Sequence, residues 1–320
     1  MNSNLLEKRG IVLGKLATFQ EVLAQAESLP PVTVAVAAAD DQEVLEAVLD
    51  AKKHGIAQFE LYGKKAEIER ISAEIGLTLT ATEVIIDTRT VQEACSGAVL
   101  AVREGKADVV MKGMVQTADF LRAILHKEKG LRSGKVLSHV ATFEVPGYDR
   151  FIHVTDPALN VVPTLPEKAQ IVENIVELCH ALGCEEPNIA VLGAVEVVNS
   201  NMQATLDAAA LAQMNRRKQL KGAVIDGPFA LDNAVSVEAA VHKGIDSPVA
   251  GRADVLLVPD IEAGNILYKS MVYFAKAKIG ALVLGAKAPV VLTSRADSAE
   301  AKLYSIALAV VQAANLNRRK

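Results

Sequence analysis

Residues 289–302 read PVVLTSRADSAEAK, and they bring a hydroxyl, a guanidinium and a carboxylate close together as Ser294, Arg295 and Asp297. These groups suit oxyanion chemistry: the guanidinium grips an oxyanion with two parallel N–H donors, the hydroxyl donates a third, and the carboxylate accepts a proton. The apolar β-branched run before them, Val290 to Leu292, has the character of a buried strand. The stretch after them, 298–315, carries Leu303, Ile306, Ala307, Val310, Val311 and Ala314 at helical spacing. The polar group therefore falls at a strand-to-helix junction, where the helix amides and dipole hold an anion. Capping by Ser294, Asp297 or Ser298 accounts for a hydroxyl or a carboxylate there. It gives no reason for an arginine.

Polar groups recur at other expected strand ends. VVMKG ends in Lys112 and Gly113, with Arg122 in the next helix; FIHVTDPALN sets Thr155, Asp156 and Asn160 after a strand. AVIDG leaves Asp226 and Gly227 at a strand end with Asp232 beyond, and VLLVPDIEAGN places Asp260, Glu262, Gly264 and Asn265 between a strand and a helix. In open α/β sheets ligands bind outside these carboxyl ends. Taken singly, each stretch is ordinary turn chemistry. Taken together they favour a site, because turns have no use for Lys112 or Arg295. The basic groups and helix N-termini fit an anion, from inorganic phosphate to the phosphates of a coenzyme. There is no GxGxxG, no GxxxxGK[ST] and no GxSxG, so the dinucleotide fingerprint, the P-loop and the nucleophile elbow are missing. The six histidines show no HExxH or HxH spacing, and no metal site is expected.

The elements that must position these residues alternate along the chain. After an expected amphipathic helix from Leu5 to Leu29 come VTVAVA, a helix capped by Asp40 or Asp41, FELYG, a helix to Gly76, EVIID, a helix, and ADVVMKG. A helix opened by Thr117 or Asp119 runs through ADFLRAILHKEKG. Buried strands joined by such helices are βαβ units of a mainly parallel sheet. From Val136 the texture changes: KVLSHVATFEVPG and FIHVT, with Pro146-Gly147 between them, read as an antiparallel pair. Alternation then resumes through helices expected at 165–182, 201–214, 232–243 and 262–277. The expected organisation is a first α/β domain of residues 1–139 plus 286–320, with a second, inserted α/β domain of 140–285.

Composition narrows the function classes. The chain has 320 residues, 51% hydrophobic and 22% charged, enough for two cores. A net charge of −4 gives no footprint for nucleic acid or a membrane surface, and the lack of tryptophan disfavours base stacking. Cys95, Cys179 and Cys184 form no CxxC and no even framework, so packing in a reduced, cytoplasmic protein is expected. Charges within the N-terminal apolar stretch argue against a signal peptide or a membrane span.

The series MKG…TADFLR, TDPALN, DGPFALDNAV, AGRADVLLVPDIEAGNILYK and PVVLTSRADS resembles the phosphate acyltransferases over about Val32 to Asn315. The short region around Ile85 to Ala94 is similar to the butyryl branch. The resemblance implies a two-domain α/β/α fold of the isocitrate/isopropylmalate dehydrogenase type, with an inter-domain cleft, in a homodimer or higher oligomer. It implies reversible acyl transfer between coenzyme A, a substrate rather than a bound cofactor, and inorganic phosphate. It assigns acyl-phosphate contacts to Ser294 and Arg295, and a proton-accepting role to an acid downstream. Relatives acting on acetyl groups carry acids six and seven residues after the serine; here these positions are Glu300 and Ala301. The base is then Glu300, Asp297, or no residue at all, the positive field favouring the thiolate unaided. Two other readings stand beside this one: a dehydrogenase of the same fold using Asp226, Asp232 and Asp260 for a metal, and a non-catalytic acyl-CoA-binding module.

Overall fold

The computed structural model describes residues 14–294 and 297–318. In chain order the elements are α1 (Phe19–Glu27), β1 (Val32–Ala37), α2 (Gln42–Lys53), β2 (Ala57–Gly63), α3 (Lys65–Ile75), β3 (Glu83–Asp87), α4 (Val91–Arg103), β4 (Val109–Lys112) and α5 (Thr117–Ile124). There follow β5 (Ser138–Glu144), β6 (Phe151–Thr155), α6 (Leu165–Ala181), β7 (Asn188–Leu192), α7 (Gln203–Arg216), β8 (Val224–Phe229), α8 (Leu231–Val235) and α9 (Val237–His242). The chain continues through β9 (Val255–Leu257), α10 (Ile261–Tyr273), β10 (Lys278–Leu284), β11 (Val290–Val291) and α11 (Ala299–Arg318).

Two compact units result: Phe19–Lys135 with the described part of Gly280–Lys320, and Val136–Ile279 with the described part of Val12–Thr18. They part at Val136, where the sequence texture changes, and at Gly280; each point lies a few residues before the domain bound expected there, 140 and 286. At the first, the Val136 amide already donates to Gln170 Oε1 at 3.0 Å. At the second, β10 pairs antiparallel with β11 through Leu282↔Val291 and Val283↔Val290.

In the first unit the strand order is β3-β2-β1-β4-β11-β10. Apart from β10 the neighbours are parallel, with Ala37 opposite Lys112 and Val291 opposite Met111. The carboxyl ends of β1, β4 and β11 thus lie side by side. Val34, Val36, Val110, Met111, Val290 and Val291 are fully buried, as strands covered on both faces require. Helix α11 is apolar nearly all round and is buried accordingly from Leu303 to Val311. Its Tyr304 stacks on Phe19 of α1 at 4.3 Å.

The second unit orders its strands β5-β6-β9-β7-β8. The β5–β6 pair is antiparallel, from Val140↔Thr155 to Glu144↔Phe151, and the remaining pairs are parallel.

Four expectations are corrected. The N-terminal helix is described only over Phe19–Glu27; residues 14–18 are not helical, and 1–13 lie outside the described residues. The helix opening at Thr117 stops at Ile124, because Gly130 turns back onto the carbonyls of Ile124 and His126, where a Cβ would come within 2.2 and 2.5 Å. The single helix expected at 232–243 is two, since Ser236 leaves helical geometry (φ −116°, ψ 118°) and its hydroxyl caps α9 at the Ala239 amide. Finally, Asp226 and Gly227 are not at a strand end. The strand runs on to Phe229, which is buried and pairs with Leu192 across a register shift, and Gly227 passes so close to Val191 that a Cβ would meet its carbonyl at 2.7 Å.

Candidate active site

In the first unit, the three adjacent strand ends gather Lys112, Gly113, Ser294 and Asp297. Lys112 ends β4 and is 3% exposed; its ammonium donates to the carbonyls of Gly113 (3.1 Å) and Val115 (3.2 Å). Gly113 lies against the loop after β1, with its amide on the Ala37 carbonyl at 2.8 Å. A side chain there would put Cβ 2.1 Å from the Ala38 oxygen, so glycine is required for the close approach. Beyond β11, two bonds tie Ser294 to Asp297: the Ser294 amide donates to Asp297 Oδ2 at 2.7 Å, and the Asp297 amide to the Ser294 carbonyl at 3.2 Å. The Ser298 hydroxyl then accepts from the Ala301 amide at 3.2 Å and starts α11. Of the three candidates for the cap, Ser298 fills that role, and the Asp297 carboxylate holds the Ser294 amide. Arg295 lies outside the described residues. Glu300 is exposed on the first turn of α11 and accepts from the Tyr304 hydroxyl at 2.8 Å. Arg122 stands apart, its side chain 72% exposed and paired with Asp119 one turn back.

The second unit gathers another set. Asp156 is buried, and its carboxylate organises the loop after β6: it accepts from the amides of Ala158 and Leu159 at 2.9 Å, from the Asn160 amide at 3.3 Å and from Asn160 Nδ2 at 2.6 Å. Asn160 Nδ2 also reaches the Leu137 carbonyl at 2.8 Å, and the Thr155 hydroxyl donates to His139 O at 2.9 Å. Gly264 lets α10 press on this loop, since a Cβ would stand 2.8 Å from Pro157 Cα and 2.8 Å from Val258 Cγ2. Asn265 Nδ2 adds a long bond to the Pro157 carbonyl at 3.4 Å. Glu262 is exposed in the first turn of α10, where an acid suits the dipole. Asp226 is not part of the set. It is level with Ala190, Leu256 and Val154 on successive strands, so three interstrand spacings, roughly 14 Å, separate it from β6.

Sequence reasoning missed Lys302. This lysine is 3% exposed, and its ammonium reaches Glu43 Oε2 at 3.0 Å and the Asp297 carbonyl. A signal was present, since a basic residue so early in a helix opposes the dipole. The cysteines pack: burial pushes the Cys95 thiol up to about 11, and burial likewise raises Cys179 well above the ordinary range. Two of the three aspartates a metal-dependent dehydrogenase would use are otherwise engaged. Asp232 pairs with Lys243 at 3.0 Å, and Asp260 caps α10 through the Ala263 amide at 2.8 Å. Among the described residues no group of three His, Cys, Asp or Glu side chains could hold a metal ion, and no helix is long and apolar enough to cross a membrane.

A family profile described as "Phosphate acetyl/butaryl transferase" matches residues 86–310. The chain is 51% identical to a phosphate butyryltransferase of Clostridium beijerinckii over 92% of its own length and 98% of the relative's. The chain belongs to the phosphate acetyl/butaryl transferase family. A phosphate acetyltransferase of Thermotoga maritima is 48% identical over 87% of this chain and 94% of its own. The crystal structure of a branched-chain phosphotransacylase from Enterococcus faecalis superposes with a TM-score of 0.79 at 34% identity, covering 88% of this chain and 99% of that one. The phosphate acetyl/butaryl transferase match takes in every candidate residue named above, from Lys112 to Glu300, in both units. Membership makes the chain one of a family of acyltransferases.

Proposed function

We propose that this chain transfers a butyryl group reversibly between coenzyme A and inorganic phosphate, giving butyryl phosphate and free CoA. The near-full-length likeness to a phosphate butyryltransferase carries the reading. The reaction balances without a redox partner. A phosphate oxygen bonds to the thioester carbonyl carbon, the carbon–sulfur bond breaks, and the thiolate takes up a proton. In reverse, the thiol must lose that proton, since a thiol of pKa about 8.5 is mostly neutral at pH 7 while the thiolate is the nucleophile. Negative charge develops on the carbonyl oxygen either way, and Ser294 and Arg295 stabilise it and the phosphoryl oxygens in this proposal. Lys112, Gly113, Arg122, Thr155, Asp156, Asn160, Asp226, Glu262, Gly264 and Asn265 remain proposed contacts for phosphate or CoA. Lys112 is best supported, as a buried ammonium at the edge that carries Ser294. Asp226, inside its strand, is least supported.

Glu300 suits the proton-accepting role better than Asp297, because it is exposed while Asp297 is committed to the Ser294 amide. The field of the helix N-terminus and neighbouring cations is the base-free counterpart. Acetyl transfer is the second reading, favoured by the 48% identity to an acetyltransferase. A cytoplasmic homodimer completes the proposal. The free, packed cysteines suit a reducing compartment, and α10 with the residue after it exposes Ile266 and Phe274, at 68% and 87%, for a second copy to cover.

Thiol release from butyryl-CoA, followed with and without inorganic phosphate, tests the reading. Release should require phosphate, and Arg295→Ala should abolish most of it while leaving the unfolding midpoint in place. Binding of butyryl-CoA with no turnover in the unaltered chain would instead indicate an acyl-CoA-binding module.

A further inference from the structure

Lys302 is the fourth residue of a long helix, and it is buried. Both facts run against elementary electrostatics. The amino end of a helix is positive and favours acids, and an ammonium leaves water only when it is well partnered. A merely apolar role would be met more cheaply by leucine or methionine. Its contacts explain the choice. Helix side chains lean toward the amino end, so Lys302 runs back over the first turn, and its ammonium donates to the carbonyl of Asp297. Its other partner is Glu43 Oε2, at 3.0 Å, in the first turn of α2. That helix is itself fixed by its Asp41 cap, whose Oδ1 accepts from the Val44 amide at 3.1 Å. Asp297 in turn accepts from the Ser294 amide at 2.7 Å.

A chain of polar contacts therefore runs from α2 through Glu43, Lys302 and Asp297 to the backbone of Ser294. We propose that Lys302, held by Glu43, is a positioning residue: it fixes Asp297 and, through it, the Ser294 backbone, so that the Ser294 hydroxyl meets the phosphoryl oxygens without reorienting when substrate arrives. This rests on the phosphate acyltransferase reading. Preorganised donors stabilise charge because nothing must reorient during the reaction, and a serine with a loosened backbone gives up that advantage. The lysine does not touch substrate in this proposal. Its effect on phosphate passes through Asp297 and the Ser294 backbone.

The test is steady-state kinetics of the full chain with butyryl-CoA and inorganic phosphate, for the unaltered protein, Lys302→Met and Glu43→Gln. Hydrogen exchange at the Ser294 amide is read in parallel. Loss of the charge-assisted bond that holds Asp297 should raise KM for phosphate about tenfold or more in Lys302→Met. KM for butyryl-CoA should stay within about twofold, because uniform binding there is untouched. Glu43→Gln, altering a half-exposed partner, should give a smaller rise of the same selective kind. Faster Ser294 exchange should accompany both. A lower kcat with both KM values and the exchange rate unchanged would mean only less folded enzyme, and would overturn the proposal. If Lys302→Met fails to fold, Glu43→Gln decides on the same criteria. An inactive unaltered chain refutes the functional reading alone, and the exchange rate then decides whether Lys302 holds Asp297 and Ser294 in place.

Discussion

Lowering the pH should destabilise the second unit through one histidine. His153 sits on β6, is 4% exposed, and shares a 2.9 Å hydrogen bond between Nδ1 and Thr142 Oγ1. Burial pushes its pKa down to about 4; the Asp254 carboxylate opposes the shift and Lys15 adds to it. The folded protein thus keeps the ring neutral where the unfolded chain, with an ordinary value near 6.5, binds a proton. Stability from this group is complete above about pH 6.5 and is lost as pH falls toward 4. At roughly 1.4 kcal/mol per pKa unit, the loss is about 2 kcal/mol by pH 5 and about 3 kcal/mol below pH 4. The perturbation is His153→Gln, which cannot titrate and can still bond Thr142. Urea unfolding of both proteins at pH 7.5, 6 and 5 separates this group from the carboxylates, which they share. The variant should be less stable at pH 7.5, and its stability should fall by about 2 kcal/mol less between pH 7.5 and 5. Parallel pH profiles would show that His153 does not carry the acid sensitivity.

Gly113→Ala should cost at least about 3 kcal/mol, since the new methyl collides with backbone oxygens rather than with a flexible side chain; a chain with an unchanged urea midpoint would contradict the packing described. Asp156→Asn should destabilise the second unit by about 2 kcal/mol, because an amide NH2 then faces N–H donors, and unfolding followed by circular dichroism checks it. For the proton acceptor, Glu300→Ala should lose rate at neutral pH and regain it as pH nears the thiol's own value of about 8.5, whereas a profile parallel to the unaltered enzyme's removes Glu300 from that role.

Where hydrophobic period and punctuation agree, the sequence is legible. The strands VTVAVA, FELYG and EVIID, the Gly76 helix end and the antiparallel pair around Pro146-Gly147 all stand where local pattern puts them. Legibility fails where a distant contact decides. Gly130 ends a helical pattern early by packing on carbonyls of its own turn, and Phe229 draws a strand through the Asp-Gly-Pro that reads as its end. The candidate residues show the same division. That polar groups crowd strand ends is visible in one dimension, but which of them are already saturated is not. Asp156 reads as a ligand contact, and its carboxylate also organises its own loop. Asp297 reads as a cap or base; its carboxylate holds the Ser294 amide, while Ser298 does the capping. The contacts of Lys302 are hidden in one dimension because its partner, Glu43, lies far away in the chain.

Phosphate-dependent acyl transfer with butyryl preferred is read from initial rates of thiol release from acetyl-, propionyl-, butyryl- and valeryl-CoA, each with and without inorganic phosphate. A pocket shaped for four carbons gains about 1–3 kcal/mol per methylene, and butyryl has two more than acetyl, so kcat/KM for butyryl-CoA should exceed that for acetyl-CoA by about thirtyfold or more. Release should vanish when phosphate is omitted. Thiol release that does not need phosphate, or a kcat/KM that is highest for acetyl-CoA, would contradict the account.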